Sequence, residues 1–240
     1  PLANKRIVIT RSKEQAVDFS RKIEQLGGTV INVPLIQFSF PKNVEEIKHE
    51  LPSLVERSDV IVFTSVNGVK FFFKLFDGEG LPSVVAAVGT KTMEALQQKG
   101  IKTSIIPEKF TAEHLVEALD ENVTTNASIL LIQGNLARPV LREQLVSLGY
   151  NVKQMVVYEN TMDEEGLGIL TNVPSESADV ITFTSPSTVH AFLSKVDRAH
   201  IKAKIAVIGP ITKKAAEQAG LQVHICPSND FTIDGLTEAL

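Results

Sequence analysis

Short apolar runs alternate along the chain with segments whose apolar residues recur at helical spacing. The runs are rich in Val and Ile, which is typical of strands in a parallel sheet covered on both faces. The predicted strands are Arg6–Thr10, Val60–Thr64, Val84–Val88, Lys102–Ile106, Ile129–Ile132, Val180–Thr184, Ile205–Ile208 and Val223–Cys226. This alternation of strands and helices predicts an α/β fold.

The segments between the apolar runs contain residues that indicate where helices begin and end. In Lys13–Leu26 the apolar residues form one stripe, and two glycines follow it, as at many helix C-termini. Asn43, with Glu46 three residues later, resembles a capping box, which predicts a helix to about Glu56.

Residues 59–119 return, with changes, about 120 positions downstream. The repeated segments are Asp59–Ser65 with Asp179–Ser185, Gly89-x-x-Thr92 with Gly209-x-x-Thr212, and Pro107 and Phe110-Thr111 with Pro227 and Phe231-Thr232. Solenoid units are shorter, at ~20–50 residues. The repeat therefore predicts an internal duplication that gives two similar parallel-sheet α/β lobes.

Two extended segments, Thr29–Phe40 and Asn151–Thr161, stand at equivalent points of the two copies. Each is about twice the usual strand length, so each can begin in one lobe and end in the other. We expect a two-stranded β-ladder of residues 29–40 and 151–161 to join the lobes. One lobe would then comprise residues 1–37 and 162–240, and the other residues 41–155. The alternative is two sequential domains with a single linker near Asp120–Asn126.

Composition narrows the class of protein. Apolar residues make up 43% of the chain and charged residues 22%, as in ordinary soluble domains, and no apolar run approaches the ~20 residues of a membrane span. The single cysteine, Cys226, cannot form an internal disulfide, and no signal-peptide core precedes the first strand, so we expect a cytoplasmic protein. A net charge of −4 argues against nucleic-acid binding. We expect a monomer with no membrane partner.

The predicted strands end in turns of small and hydroxyl-bearing residues. In an open α/β sheet, ligands bind beyond the carboxyl ends of the strands, where helix N-termini offer backbone N–H groups. The candidate substrate-binding residues are Arg11, Thr64, Ser65, Asn67, Gly68, Gly89, Thr92, Gly134, Asn135, Arg138, Ser185, Pro186, Ser187, Thr188, Gly209 and Thr212. Together these turns predict a cleft for a polyanion. The alternative is that the Ser and Thr residues only cap helices.

Familiar catalytic motifs are missing from the sequence. It has no glycine-rich nucleotide fingerprint, no phosphate-binding loop and no nucleophile elbow. The five histidines and Cys226 lack the spacing of metal ligands. We therefore expect neither a metal nor a cofactor. Cys226 and Phe71–Phe73 are predicted to be core residues.

Two side chains are candidates for chemistry beyond anion binding. Tyr158, one of two tyrosines, lies in the second ladder segment, where its phenol could donate a proton to a departing hydroxyl. The alternative is a tyrosine packed on a strand. Arg138 could bind a carboxylate or could be a surface charge.

In their order along the chain, these motifs resemble the uroporphyrinogen-III synthase family. The resemblance covers essentially the whole chain and rests on Ile9-Thr10-Arg11, Phe63-Thr64-Ser65, Val88-Gly89-x-x-Thr92, Gly134-Asn135-Leu136 with Arg138, Val157-Tyr158, Phe183-Thr184-Ser185-Pro186-Ser187 and Ile208-Gly209-Pro210-x-Thr212. Each motif is weak alone, whereas the ordered set is fairly specific.

The resemblance implies a cofactor-free enzyme that closes a linear tetrapyrrole, hydroxymethylbilane, to uroporphyrinogen III. The last pyrrole ring is inverted through a spiro intermediate, and the substrate lies between two lobes. Tyr158 matches the tyrosine of the family and would assist loss of the hydroxyl. At one turn the chain departs from the family, because Val66-Asn67 stand where a basic residue can follow Thr64-Ser65. Charge pairing at that turn is therefore unsupported.

A second hypothesis is a cytosolic two-lobed binding protein without catalysis, which would close on a small polyanion. It explains the repeat and the strand-end turns equally well. A pair of signalling receiver domains is excluded, because such domains need clustered acids at the strand ends, and here those ends carry Thr, Ser and Gly.

Overall fold

The computed structural model describes residues 2–172 and 178–240. The chain forms two compact units, one of residues 1–38 and 161–240 (unit 1) and one of residues 39–160 (unit 2). Unit 2 is thus continuous in sequence and interrupts unit 1.

Strands and helices alternate in both units. The strands are β1 (Arg6–Ile9), β2 (Thr29–Asn32), β3 (Ile36–Ser39), β4 (Val60–Phe63), β5 (Val84–Ala87), β6 (Ser128–Gly134), β7 (Asn151–Met162), β8 (Val180–Phe183) and β9 (Lys204–Val207). The helices are α1 (Lys13–Gln25), α2 (Val44–Glu56), α3 (Val66–Leu75), α4 (Thr90–Gln97), α5 (Ala112–Asn122), α6 (Val140–Ser147), α7 (Glu164–Asn172), α8 (Pro186–Leu193), α9 (Pro210–Gln218) and α10 (Ile233–Ala239). A short 3-10 helix covers Arg198–His200.

Two sheets organise the fold, with strand orders β2-β1-β8-β9 and β3-β7-β6-β4-β5. The ladders β2-β1-β8-β9 and β7-β6-β4-β5 are parallel throughout. This confirms the predicted parallel α/β class. Because parallel strands share a direction, their carboxyl ends meet along one edge of each sheet.

Apolar side chains cover both faces of the first sheet. Ile7 and Ile9 pack with Phe19 of α1 on one face, whereas Val8 between them packs with Phe183 and other residues on the opposite face. This division follows from the two-residue side-chain period of a strand. It explains why the strands are continuous apolar runs. In unit 2, Phe72 of the Phe71–Phe73 segment is fully buried, as the core prediction required.

Two strand predictions were wrong, those for Lys102–Ile106 and Val223–Cys226. Each segment makes only one isolated bridge to its sheet. In the first, the amides of Ser104 and Ile105 both donate to the Val85 carbonyl, at 2.7 and 3.2 Å, so the regular ladder is lost. The second segment repeats this arrangement. A proline follows each segment and has no N–H with which to continue the pairing.

The prediction of one long strand over Thr29–Phe40 was also wrong, because the segment forms two strands, β2 and β3, in different sheets. Pro34 lies in the break and cannot donate a hydrogen bond. The other long segment is a single strand, β7, of 12 residues. The chain passes between the units in β3 and in β7.

Helix α2 ends at Glu56, as predicted, but its N-terminus lacks the predicted capping box. Asn43 makes no side-chain hydrogen bond there. Its backbone, at φ −92° and ψ 33°, is not in the extended conformation that a capping side chain needs.

Candidate functional site

A cavity of about 340 Å³ lies at the carboxyl ends of β4 and β6 in unit 2. Six predicted site residues line it, namely Thr64, Ser65, Gly134, Asn135, Arg138 and Tyr158. They come from three segments of the chain, which the parallel register brings to one edge of the sheet.

Tyr158 is aimed by an irregularity in β7. Along β6 and β7 the register is regular up to Gln133 and Val156, and then Gly134 pairs with Tyr158. Val157 is therefore an extra residue, and its side chain is fully buried. The shift places Tyr158, rather than Val157, opposite Gly134. Bulges of this kind re-aim side chains beside active sites.

The Tyr158 ring lies directly on the backbone of Gly134. A Cβ atom added at Gly134 would lie 2.6 Å from Tyr158 Cε2 and 2.8 Å from its Oη, closer than real contacts allow. The ring also packs against Phe71, with centroids 5.6 Å apart. The position of the phenol is thus fixed by the missing side chain at Gly134 and by the Phe71 ring.

The Tyr158 hydroxyl is hydrogen-bonded to Ser65, with 3.1 Å between Oη and Oγ. Ser65 is also the N-cap of α3, and its Oγ accepts the Gly68 backbone N–H at 2.9 Å. The helix-capping interpretation therefore holds for Ser65, which in addition contacts the phenol. This links Tyr158 to the positive end of a helix dipole.

Asn135 holds β7 beside the cavity. Its Oδ1 accepts the Asn160 backbone N–H at 2.8 Å, and its Nδ2 donates to the Asn160 carbonyl at 3.3 Å. The Asn135 backbone N–H donates to the Tyr158 carbonyl at 3.2 Å. The side chain thus extends the ladder past the end of β6 and fixes the segment that carries Tyr158.

Arg138 is exposed at the cavity wall and interacts with Glu113. The pKa of Glu113 is lowered mainly by its own backbone N–H, then by the Thr111 hydroxyl, with a smaller contribution from Arg138. Glu113 is therefore a carboxylate at neutral pH. Because Glu113 is solvent-exposed, this attraction is weak, and the guanidinium is accessible to a carboxylate.

The corresponding turn in unit 1 is a cluster of hydroxyls at the start of α8. Ser185 Oγ accepts the Thr188 backbone N–H at 3.4 Å and lies 2.9 Å from Ser187 Oγ. The Thr188 hydroxyl is buried and donates to the Ser185 carbonyl at 2.8 Å. Pro186 is the first residue of α8. At this turn the Ser185 and Ser187 hydroxyls are partly accessible.

Other predicted site residues lie at helix N-termini outside the residues lining this cavity. Gly89 and Gly209 are the N-caps of α4 and α9, and Asn67 and Gly68 lie in the first turn of α3. Thr92 and Thr212, in the first turns of α4 and α9, are only 6% and 3% exposed.

Arg11 lies in unit 1 beside a separate cavity of about 580 Å³, which Ser20 and Glu24 of α1 also line. Its side chain is half-buried, and burial lowers the pKa of the guanidinium although Asp18 acts to raise it. The Arg11 Nε atom is buried without a hydrogen-bond partner among the described residues.

Several residues that line the unit 2 cavity were missed as site candidates, among them Phe110, Thr111, Gln133 and Asn160. Phe110-Thr111 recurs as Phe231-Thr232, so the repeat could have indicated it. Gln133 and Asn160 lack such a signal, because only the strand register brings them to the cavity.

Neither a metal cluster nor a membrane helix emerges from residues 2–172 and 178–240. In that part of the chain no three or more His, Cys, Asp or Glu side chains could hold a metal ion. None of its helices is both long and apolar enough to cross a bilayer.

The fold and the site define a parallel α/β protein whose strand-end turns form an amide-rich and hydroxyl-rich cavity around a phenol. A family model described as Uroporphyrinogen-III synthase HemD matches residues 17–238. The chain belongs to the uroporphyrinogen-III synthase family.

Individual relatives agree with this assignment. A porphyrin biosynthesis protein from Ruminiclostridium josui is 28% identical over 249 residues, which cover 100% of this chain and 49% of that protein. The chain thus spans about half the length of that relative. A uroporphyrinogen-III synthase from Chlorobaculum parvum is 27% identical over 234 residues, 93% of this chain and 93% of that protein.

Solved structures share the fold. A mutant uroporphyrinogen III synthase from Thermus thermophilus superposes with a TM-score of 0.71 at 18% identity, covering 98% of this chain and 96% of that one. A uroporphyrinogen-III synthetase from Helicobacter pylori gives a TM-score of 0.65 at 19% identity, covering 98% and 97%. At these identities the likeness concerns the architecture alone.

Proposed function

We propose that this chain converts hydroxymethylbilane to uroporphyrinogen III, with inversion of the last pyrrole ring, and that the unit 2 cavity takes part in the reaction. The main support is the Tyr158 phenol, held 3.1 Å from Ser65 Oγ in a cavity that Arg138 also lines. Family membership supports the choice of substrate, a linear tetrapyrrole with eight carboxylates.

The substrate's carboxylates match the groups at the turns. The starts of α3 and α8 combine backbone N–H groups with the hydroxyls of Ser65, Ser185 and Ser187, and Arg138 adds a guanidinium in unit 2. Helix N-termini favour anions, and an arginine can bind a carboxylate through two parallel hydrogen bonds. In unit 2, such contacts around the cavity would fix the substrate carboxylates that reach it.

The chemistry requires a donor where the hydroxyl departs. In the proposed step the C–O bond of the hydroxymethyl group breaks with its electron pair going to oxygen, and the Tyr158 O–H supplies the proton, so water leaves. Departure of the hydroxyl leaves a cationic azafulvene, whose exocyclic carbon bonds to the substituted α-carbon of the last ring and gives a spiro intermediate. The older bond between that α-carbon and its bridging methylene then breaks, and the methylene bonds to the free α-carbon of the last ring, which inverts the ring. The ring proton released on re-aromatisation restores the phenol.

Orientation carries most of this rate enhancement. An unguided chain closes end to end without inversion, so the protein must hold the last ring against the crowded carbon. Positioning can contribute roughly 7–11 kcal/mol of a barrier, whereas a positioned proton donor contributes about 10²–10⁴-fold in rate. The phenol is thus an aid to a reaction that the fixed pose directs.

The deciding experiment is the isomer ratio of the cyclic product formed from hydroxymethylbilane. We expect predominantly the inverted isomer with the protein and predominantly the uninverted isomer without it. A ratio equal to that of the protein-free control would overturn the proposal. Calorimetry with uroporphyrinogen III would then test the remaining hypothesis, a binding protein without catalysis.

A further inference from the structure

Each unit exposes a phenylalanine ring beside the N-terminus of a strand-end helix. Phe110 in unit 2 is 54% exposed, and Phe231 in unit 1 is 47% exposed. Single exposed apolar side chains are common. These two, however, occupy corresponding positions of the repeated sequence and make the same contact within their own units.

That contact is with a glycine. A Cβ added at Gly89 would lie 3.4 Å from Phe110 Cγ, and one added at Gly209 would lie 3.1 Å from Phe231 Cγ. Gly89 and Gly209 are the N-caps of α4 and α9. Each ring therefore rests against the backbone at a helix N-terminus, and a side chain at the glycine would crowd it.

The residue after each ring fixes the backbone that carries it. Thr111 is the N-cap of α5, where its Oγ1 accepts the His114 backbone N–H at 3.4 Å. Thr232 is the N-cap of α10, where its Oγ1 accepts the Gly235 backbone N–H at 3.2 Å. Each ring thus contacts a glycine, and the backbone that carries it leads directly into the N-cap of a helix.

In unit 2 this ring belongs to the cavity wall, together with Tyr158 and Arg138. The wall then presents an aromatic face, a phenol and a cation to one space. Carboxylate binding alone does not account for the aromatic face. A flat, electron-rich ring that bears carboxylates matches all three groups, because aromatic rings associate through offset or edge-to-face contacts.

We propose that Phe110 binds the face of a pyrrole ring of the substrate. This inference rests on the proposed function and extends it, because it assigns ring recognition to a side chain of the unit 2 cavity while the turns bind carboxylates. Ring contacts distinguish a tetrapyrrole from an aliphatic polyanion.

The binding test compares Phe110→Ala with Val146→Ala, which truncates an exposed apolar residue of α6 (46% exposed) outside the cavity wall. We expect Phe110→Ala to raise the Kd for uroporphyrinogen III by about 2- to 12-fold, the order of an aromatic contact, and Val146→Ala to leave it unchanged. Both variants should keep the wild-type melting temperature within a few degrees. An unchanged Kd for Phe110→Ala would overturn the inference.

A second measurement uses the absence of tryptophan from the 240 residues. Phe110→Trp places the single tryptophan of that variant on the cavity wall, and Val146→Trp provides the control. We expect saturating uroporphyrinogen III to protect the indole from acrylamide in Phe110→Trp but not in Val146→Trp. Equal quenching of Phe110→Trp with and without ligand would contradict ring contact.

Different results would refute the proposed function and the role of Phe110. A wild-type protein that neither inverts the last ring nor binds uroporphyrinogen III would refute the proposed function. A wild-type protein that does both, with Phe110→Ala indistinguishable from it, would refute only the role of Phe110.

Discussion

Asp59 in unit 2 and Asp179 in unit 1 accept the same hydrogen bond. Each carboxylate takes the backbone N–H of the first residue of a central strand, Ser128 or Arg6, at 2.8 Å. Each aspartate also donates its own N–H to the carbonyl of that residue, at 2.8 and 2.9 Å. The repeated Asp-Val-Ile sequence thus sets the register of both sheets in the same way.

The units differ at the opposite end of the strands. Ser128 pairs with Asn151 and Arg6 pairs with Thr29, so by counting forward from these pairs the counterpart of Tyr158 is Ile36. Ile36 is buried and follows a break at Pro34, whereas Tyr158 is half-buried and follows a bulge. The two units therefore share a frame, meaning the strand pairing fixed by Asp59 and by Asp179. At corresponding positions of this frame, unit 2 has a tyrosine and unit 1 has a buried isoleucine.

The largest effect is expected for Gly134→Ala, which removes the feature that distinguishes unit 2. The added methyl would overlap the Tyr158 ring and displace the phenol from Ser65. Because a misplacement of about 1 Å can cost 10²-fold, we expect kcat for conversion of hydroxymethylbilane to fall by at least about 10²-fold. Gly168→Ala is the control, since no atom lies within 4 Å of its added Cβ. Full activity in Gly134→Ala would show that the ring position is unimportant.

A smaller effect is expected for Tyr158→Phe. The phenyl ring keeps its packing on Gly134 and Phe71, so folding and KM should hardly change. Loss of the proton donor should lower kcat by about 10- to 100-fold, at or below the low end for general acids, because orientation is retained. Single-turnover rates with hydroxymethylbilane measure this. An unchanged rate would remove Tyr158 from the mechanism.

The shared frame can be tested with Asp59→Ala and Asp179→Ala. Each removes a charged acceptor of a backbone N–H, for which we expect a loss of about 1–2 kcal/mol in the free energy of unfolding. Urea denaturation should give similar losses for the two, because the geometries match. The additional Arg6–Asp179 contact at 3.9 Å is exposed and should add little. Losses that differ by more than about 1 kcal/mol would mean that the frames are not equivalent.

The smallest effect is expected for Tyr150→Phe, which contrasts the two tyrosines. The Tyr150 hydroxyl donates to Asp120 Oδ1 at 3.0 Å, and its loss should cost about 1 kcal/mol with no change in kcat. Burial, and then Asp120, raise the pKa of Tyr150. Its contribution to stability is therefore complete below the unfolded pKa near ~10 and is lost as the pH rises through the higher folded value.

The pH dependence supplies the check on that variant. The difference in unfolding free energy between the wild type and Tyr150→Phe should be constant from pH 6 to about 9 and should shrink above about pH 10. A difference that grows at high pH would contradict the raised pKa. A fall in kcat would assign Tyr150 a role in the reaction.

Strands and helices that depend only on the local sequence pattern were predicted correctly. Buried strands such as β4 and β8 are continuous apolar runs, and glycines follow α1, so these elements were predicted to within a few residues. The break at Pro34 was missed because the apolar pattern continues through it, although the proline itself indicated it. The bulge at Val157 depends on pairing between β6 and β7, which no local pattern contains.

The same distinction applies to the candidate site. Ser65 and Tyr158 were predicted, and the structure joins them. Thr92 and Thr212 were predicted as donors, yet their side chains are buried, because a turn sequence does not specify which way a hydroxyl points. Phe110 was predicted only as part of the repeat. Its closeness to Gly89 depends on where the segment before α5 lies.

The interruption of unit 1 by unit 2 affects how the chain emerges from the ribosome. Strand β1 lies between β2 and β8, but β8 is synthesised only after all of residues 39–160. At ~5–20 residues per second, the first β-α-β segment waits roughly 8–30 s between the end of β2 and the end of β8, with one edge of β1 unpaired. Unit 2 can fold during that interval. Early strands left unpaired invite association with other chains, so the nascent protein is most vulnerable to aggregation in this interval.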